Sequence, residues 1–190
     1  KSIIMKKLEV FGAAKLKGQI RISGSKNASL PILAATLLSD KKISLTNLPR
    51  VKDVETMIKL LESMGSKVKV SKNKNSLVIQ NNKKIKTEAS YNLMSTMRAG
   101  IIVLGPLLAR FGKARVSSPG GCNIGFRPID IHLEALKKMG VKYKIVDGYI
   151  NANVKNRLIG TKIKFPKISV GATENLMIAA CLAKGQTILS

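Results

Sequence analysis

The stretch Ser117–Ser118–Pro119–Gly120–Gly121–Cys122–Asn123–Ile124–Gly125–Phe126–Arg127–Pro128–Ile129–Asp130 gathers residue types that do chemistry. Gly120, Gly121 and Gly125 allow a loop with left-handed backbone angles and close approach to a ligand. A thiol in such a loop sits on an accessible turn, where it is either an incidental cysteine or a reactive one. Arg127 favours the second reading. A guanidinium five residues on lowers a thiol's pKa from its usual value of about 8.5 and also holds an anionic substrate beside it.

Three further segments combine cations with helix starts. Lys26–Asn27 stands before the apolar run Ala28–Leu38, where free N–H groups and the helix dipole favour an anion. A solvated turn is the alternative. Arg98 stands among Thr96, Met97 and Ala99 in an apolar stretch, so it needs a partner, either a structural carboxylate or a ligand. Lys167–Ile168–Ser169–Val170–Gly171–Ala172 brings a lysine, a hydroxyl and a glycine backbone to another helix start, a combination that suits a diphosphate. Cys181 lies in an apolar run and reads as a buried small hydrophobe. His132, the sole histidine, falls beside the Arg127–Ile131 segment or on a helix surface. The sequence shows no metal-ligand cluster, Ser-His-Asp set or Walker loop.

The elements that position these residues recur. Short strands are expected at Lys7–Phe11 and Gln19–Ile22, then a helix from about Ala28, because Pro31 is tolerated only in a first turn. A strand at Lys41–Leu45, an amphipathic helix over Val54–Met64 stopped by Gly65, and strands at Lys67–Val70 and Leu77–Gln80 follow. The order returns as an apolar helix Leu93–Ala109, strand Ala114–Ser117, helix Ile129–Met139 before Gly140, and strands Lys142–Val146 and Tyr149–Ala152. It begins again with strand Lys162–Phe165, helix Glu174–Ala183 and strand Gln186–Leu189. Ile43 and Val116 are 73 residues apart, and Val116 and Ile188 are 72 apart, a repeated supersecondary unit. The first helix of each unit is apolar all round and must be buried, the second only on one face. Strands therefore form an outer layer around a helical centre.

The pattern P-G-G-C-x-I-G-x-R-P-x-D over Pro119–Asp130 is long and irregular. It resembles the cysteine loop of the enolpyruvyltransferases that act on UDP-N-acetylglucosamine, and the resemblance runs from about Met5 to Ser190. It implies an α/β fold, an inside-out α/β barrel of two domains built from such units. The chain is then an N-terminal piece: residues 22–190 form the first domain, its third unit cut at Ser190, and residues 1–21 pair with a second domain. The piece alone is expected to be inactive, with the general base and the remaining cationic clamp supplied from further along. Lys1–Ile4 reads as an upstream extension, Met5 matching a start better. The resemblance assigns Cys122 as proton donor and Lys26, Asn27 and Arg127 to phosphoenolpyruvate. It assigns Asn27, Arg98, Arg127, Pro128, Ile129, Asp130, Ile131, Lys167, Ile168, Ser169, Val170 and Gly171 to UDP-N-acetylglucosamine. No metal or organic cofactor is implied.

Composition weighs the rivals. Of 190 residues, 45% are hydrophobic, enough for a real core. A net charge of +24 raises nucleic acid as a partner, but the lysines are scattered, with no run longer than pairs such as Lys41–Lys42 and Lys83–Lys84. Aromatics at 4% are too few for stacking platforms. Most of the charge reads as a solvated surface, with neither nucleic acid nor membrane as partner. Two cysteines form no disulfide framework, Lys1–Gly18 lacks a signal peptide's apolar core, and Ala99–Ala109 is too short to span a bilayer, so a cytoplasmic protein is expected. The sister enzyme acting on shikimate 3-phosphate lacks this cysteine loop. A nucleic-acid-binding protein and a substrate-binding module without turnover are the other readings.

Overall fold

A computed structural model describes residues 8–12, 15–118 and 129–190. The strands and helices of two copies of one unit lie within them. In the first, strand β1 (Lys42–Leu45) leads to helix α2 (Lys52–Ser63) and strands β2 (Lys67–Val70) and β3 (Leu77–Gln80). In the second, β5 (Lys113–Ser117) leads to α5 (Asp130–Lys138), β6 (Lys142–Val146) and β7 (Tyr149–Asn153). Each forms an antiparallel sheet with its last strand in the middle, β1-β3-β2 and β5-β7-β6.

The repeat extends to backbone detail. α2 and α5 are each followed by a glycine with positive φ, Gly65 at 105° and Gly140 at 95°, conformations that side chains resist. The carbonyl at each helix end then accepts from the chain leaving the unit: Lys86 N–H to Met64 at 2.8 Å, and Ile159 N–H to Met139 at 3.0 Å. The second unit adds β4 (Glu88–Ala89), parallel to β5, and the third shows β8 (Lys162–Ile163) parallel to β9 (Ile188–Leu189).

Helices α1 (Lys26–Ala35), α4 (Leu104–Phe111) and α6 (Val170–Ala180) fill the centre. α6 packs on α4 and α1, and α4 on the 3-10 turn Thr36–Leu38 that ends α1. Leu33, Leu37, Leu104, Leu107 and Leu176 are fully buried. Each contributes roughly 1.5–3 kcal/mol of hydrophobic stabilisation. α2 turns Val54, Met57, Leu60 and Leu61 inward, the spacing of one helix face. Outward, the sheets carry much of the basic charge: Lys42, Lys67 and Lys69 on one, Lys113, Lys142 and Lys144 on the other, all exposed. The expected outer layer of strands around a helical centre is thus present. α4 is buried as expected, whereas α1 and α6 leave Ile32 and Met177 exposed.

Several element boundaries differ from the sequence reading. α1 begins at Lys26 rather than Ala28, because Ser25 caps it by accepting from Ala28 N–H at 3.3 Å. Pro31 therefore lies beyond the first turn and offers no N–H to the Asn27 carbonyl. α6 starts at Val170, four residues early, for the same reason: Ser169 Oγ accepts from Ala172 N–H at 3.3 Å. The expected single helix Leu93–Ala109 is three pieces, α3 (Tyr91–Met94), the 3-10 turn Arg98–Val103 and α4. Pro106 brings no N–H for Ile102, and Gly105 N–H bonds outside its own helix, so the ladder fails twice in succession. The strands expected at Lys7–Phe11 and Gln19–Ile22 do not form among the described residues, where Leu8, Val10, Phe11, Ile20 and Ile22 are all exposed. A strand needs a neighbour for its backbone groups, and the described residues supply none there.

Candidate active site

The site residues start at helix N-termini. Lys26 and Asn27 are the first two residues of α1, both exposed. Lys26 Nζ lies 3.0 Å from Asp53 Oδ2, in the first turn of α2. Asp53 was invisible to sequence reasoning, since an acidic residue in a helix's first turn is commonplace. Both side chains are more than one third exposed, so solvent screens the pair and it contributes under about 1 kcal/mol. A phosphate or carboxylate reaching Lys26 competes only with this weak contact. Asp53→Ala is expected to lower the melting temperature by less than roughly 4 °C, and by less still in high salt. Calorimetry at low and high salt measures this, and a loss of roughly 10 °C would show that the pair is a structural bond.

A second group joins three chain segments. Ile129 caps α5, Asp130 opens it exposed, and Ile131 is buried. Next in that helix, His132 is buried as well, which excludes the helix surface among its two readings. Its Nδ1 lies 3.1 Å from Nδ2 of Asn175 on α6. Burial pushes the imidazole from its ordinary 6.5 to about 4, the nearby Asp130 carboxylate opposing only in part. His132 is therefore neutral near pH 7. With Nδ1 accepting from the amide, its single proton stays on Nε2. The Nε2–Cε1 edge lies against Gly171, where an added Cβ would stand 3.8 and 3.7 Å from those atoms.

The remaining predicted residues flank this pair. Lys167 is exposed, Ile168 is 99% exposed, Ser169 caps α6 and Val170 is 69% exposed. With Phe165, Thr173, Glu174 and Ser190 they line a cavity of about 440 Å³. Partial burial raises the pKa of the Glu174 carboxyl, and the cavity lining holds both that group and Lys167. Arg98 opens the 3-10 turn before α4. Cys122, Arg127 and Pro128 lie outside the described residues. Cys181, expected in the core, is instead exposed: α6 ends at Ala180, and the thiol, just past it, donates to the Met177 carbonyl at 3.4 Å.

Sequence reasoning missed Asp53, Glu174 and Asn175. The first two carry no local signal, but an asparagine within the apolar run Ala172–Ala183 was one, since a buried amide requires partners. Among the described residues, no group of three His, Cys, Asp or Glu is placed to hold a metal ion, and no helix is long and apolar enough to cross a membrane.

Solved enolpyruvyl transferases share this arrangement of α/β units around central helices. The enolpyruvyl transferase NikO from Streptomyces tendae superimposes with a TM-score of 0.76 over 94% of this chain and 42% of that one, at 18% identity. EPSP synthase from Acinetobacter baumannii gives 0.72 over 91% and 40%, at 17% identity. The sequence profile of EPSP synthase (3-phosphoshikimate 1-carboxyvinyltransferase) matches residues 10–190, and the chain belongs to that family. Among curated relatives, the UDP-N-acetylglucosamine 1-carboxyvinyltransferase of Pelagibacter ubique (strain HTCC1062) is 74% identical over 98% of this chain, and that of Sulfurovum sp. (strain NBC37-1) 53% identical over 97%. The chain spans 44% and 43% of the length of these two relatives.

Proposed function

We propose that this chain is the first-domain part of a transferase that moves the enolpyruvyl group of phosphoenolpyruvate to the 3′-hydroxyl of UDP-N-acetylglucosamine, releasing phosphate. This is the first committed step of peptidoglycan synthesis, and it places the protein in the cytoplasm, where its substrates are. The 74% identity to a relative of that name carries the reading. The sister activity on shikimate 3-phosphate is named by the family profile, but the solved EPSP synthase structures share only 17% identity.

The path is addition then elimination. The sugar hydroxyl, giving its proton to a general base from further along the parent chain, adds to the central carbon of phosphoenolpyruvate while Cys122 gives a proton to its methylene carbon. The resulting methyl group then loses a proton as the carbon–oxygen bond to phosphate breaks. Lys26, Asn27 and Arg127 hold the anionic groups of phosphoenolpyruvate, gathering charge that repels itself in water. Asn27, Arg98, Arg127–Ile131 and Lys167–Gly171 take the nucleotide sugar. Ile131 is buried, so a ligand meets its backbone there. The exposed apolar residues among 8–12 and 15–21 fit a segment that packs on a second domain, with residues 22–190 as the first. The scattered lysines of the sheet faces are left to solvent rather than to nucleic acid.

In the full-length protein, phosphate release is expected with phosphoenolpyruvate plus UDP-N-acetylglucosamine and not with shikimate 3-phosphate; the reverse preference overturns the reading. Titration calorimetry should show Arg127→Ala weakening UDP-N-acetylglucosamine about tenfold or more, a lost charge-assisted contact, with Lys83→Ala nearly neutral. Equal losses, or duplex DNA binding that the nucleotide sugar does not displace, favour the nucleic-acid rival.

A further inference from the structure

Between the 3-10 turn Arg98–Val103 and α4, the bond from Gly105 N–H to the Ile101 carbonyl is replaced by a side chain. Asn175 Oδ1 accepts from Gly105 N–H at 2.8 Å, and Asn175 Nδ2 donates to the Ile101 carbonyl at 3.3 Å. Its second Nδ2 hydrogen goes to His132 Nδ1 at 3.1 Å. The amide is fully buried, and its orientation is fixed from both ends. Turned over, it would set its NH₂ against Gly105 N–H and its oxygen against the Ile101 carbonyl, two repulsions in place of two bonds. Gly105 makes room for this, since a Cβ there would stand 2.3 Å from Oδ1. One buried side chain thus ties together the turn that Arg98 opens, the first turn of α5 after Ile129–Ile131, and α6 just past Lys167–Gly171.

We propose that Asn175 is a positioning residue for the nucleotide sugar: by bridging the helix break at Gly105 and orienting His132, it sets the spacing of the three segments that receive the UDP group. The inference rests on the nucleotide-sugar reading above. A buried network of this kind has one satisfied arrangement, so loss of the amide frees the three segments to shift against one another. Such a shift weakens binding of the ligand that bridges them and leaves the chemistry of the bound complex largely intact.

The test uses the full-length protein, assayed well below its melting temperature. Asn175→Leu keeps the volume and removes the bonds. It is expected to raise KM for UDP-N-acetylglucosamine about tenfold, with kcat and KM for phosphoenolpyruvate changed less than about threefold. His132→Leu, which removes the amide's partner on α5 and leaves its bridge across the helix break, should give the same split to a smaller degree. The two together should not add, as for residues acting through one contact. His132→Leu also keeps the question answerable should Asn175→Leu fail to fold. Lower melting temperatures with both KM values unchanged, or additive effects, would overturn the role of Asn175. A wild-type protein that binds no UDP-N-acetylglucosamine in calorimetry overturns the nucleotide-sugar reading itself, and this proposal with it.

Discussion

Cys122→Ser in the full-length protein is expected to abolish labelling by fosfomycin, the epoxide that alkylates the loop cysteine of the enolpyruvyltransferases this chain resembles, and to remove most turnover. A hydroxyl is a far poorer acid than a thiol at neutral pH, and loss of a general acid costs roughly 10²- to 10⁴-fold in rate. Cys122→Asp should retain turnover without being labelled, because a carboxyl group carries the proton and is not alkylated. The structure changes the control in this experiment. Cys181 is exposed rather than buried, so burial does not protect it from the reagent. Iodoacetamide should reach Cys181 freely, whereas fosfomycin should select Cys122, where the proposed cations Arg127 and Lys26 would draw its phosphonate. UDP-N-acetylglucosamine should speed labelling of Cys122 and leave Cys181 unchanged. Peptide mass mapping reads the labelling, and phosphate release reads the turnover. Fosfomycin on Cys181 alone, or a fully active serine variant, would reduce Gly120–Arg127 to an ordinary turn.

The second large effect is on stability at acid pH. His132 is buried and neutral, its pKa lowered from 6.5 to about 4 by burial, so the unfolded chain takes up its proton first as pH falls. Its contribution is therefore fully present above about pH 6.5 and is lost as pH drops from there toward 4. Over that interval the loss amounts to about 3 kcal/mol, a large fraction of a typical domain's stability. Urea unfolding at pH 7 and pH 4.5 should show it, and His132→Gln should flatten the slope between them even though its stability at pH 7 is lower. Asp130 opposes the shift, so Asp130→Asn should steepen the slope. A wild-type slope identical to that of His132→Gln would mean that His132 is solvated.

Much of the candidate site was legible because its signals are local. Lysines and hydroxyls next to helix starts are read one segment at a time, and Ser25–Lys26–Asn27 and Lys167–Gly171 do stand at the starts of α1 and α6. The error of two to four residues in those starts had one cause. A serine cap decides where a helix begins more strongly than the first apolar residue or the proline rule does. Cys181 was misjudged because apolar neighbours in sequence describe the helix before it, and the chain turns out of that helix at Ala180.

The sequence by itself determined the repeat of about 73 residues, the order of the main strands and amphipathic helices within it, and the resemblance carried by the pattern at Pro119–Asp130. Those follow from periodicity and from local motif, and both are properties of neighbouring residues. Only the tertiary structure decided that the apolar stretch Leu93–Ala109 breaks, that His132 is buried and neutral, and that Lys26 rests against Asp53. Each depends on a partner far along the chain: Asn175 stands 70 residues from Gly105 and 43 from His132, and Asp53 answers Lys26 from another helix. A hydrogen bond or an ion pair acts over a few ångströms of space, whatever the separation along the chain, so these partners were fixed only when the helices packed.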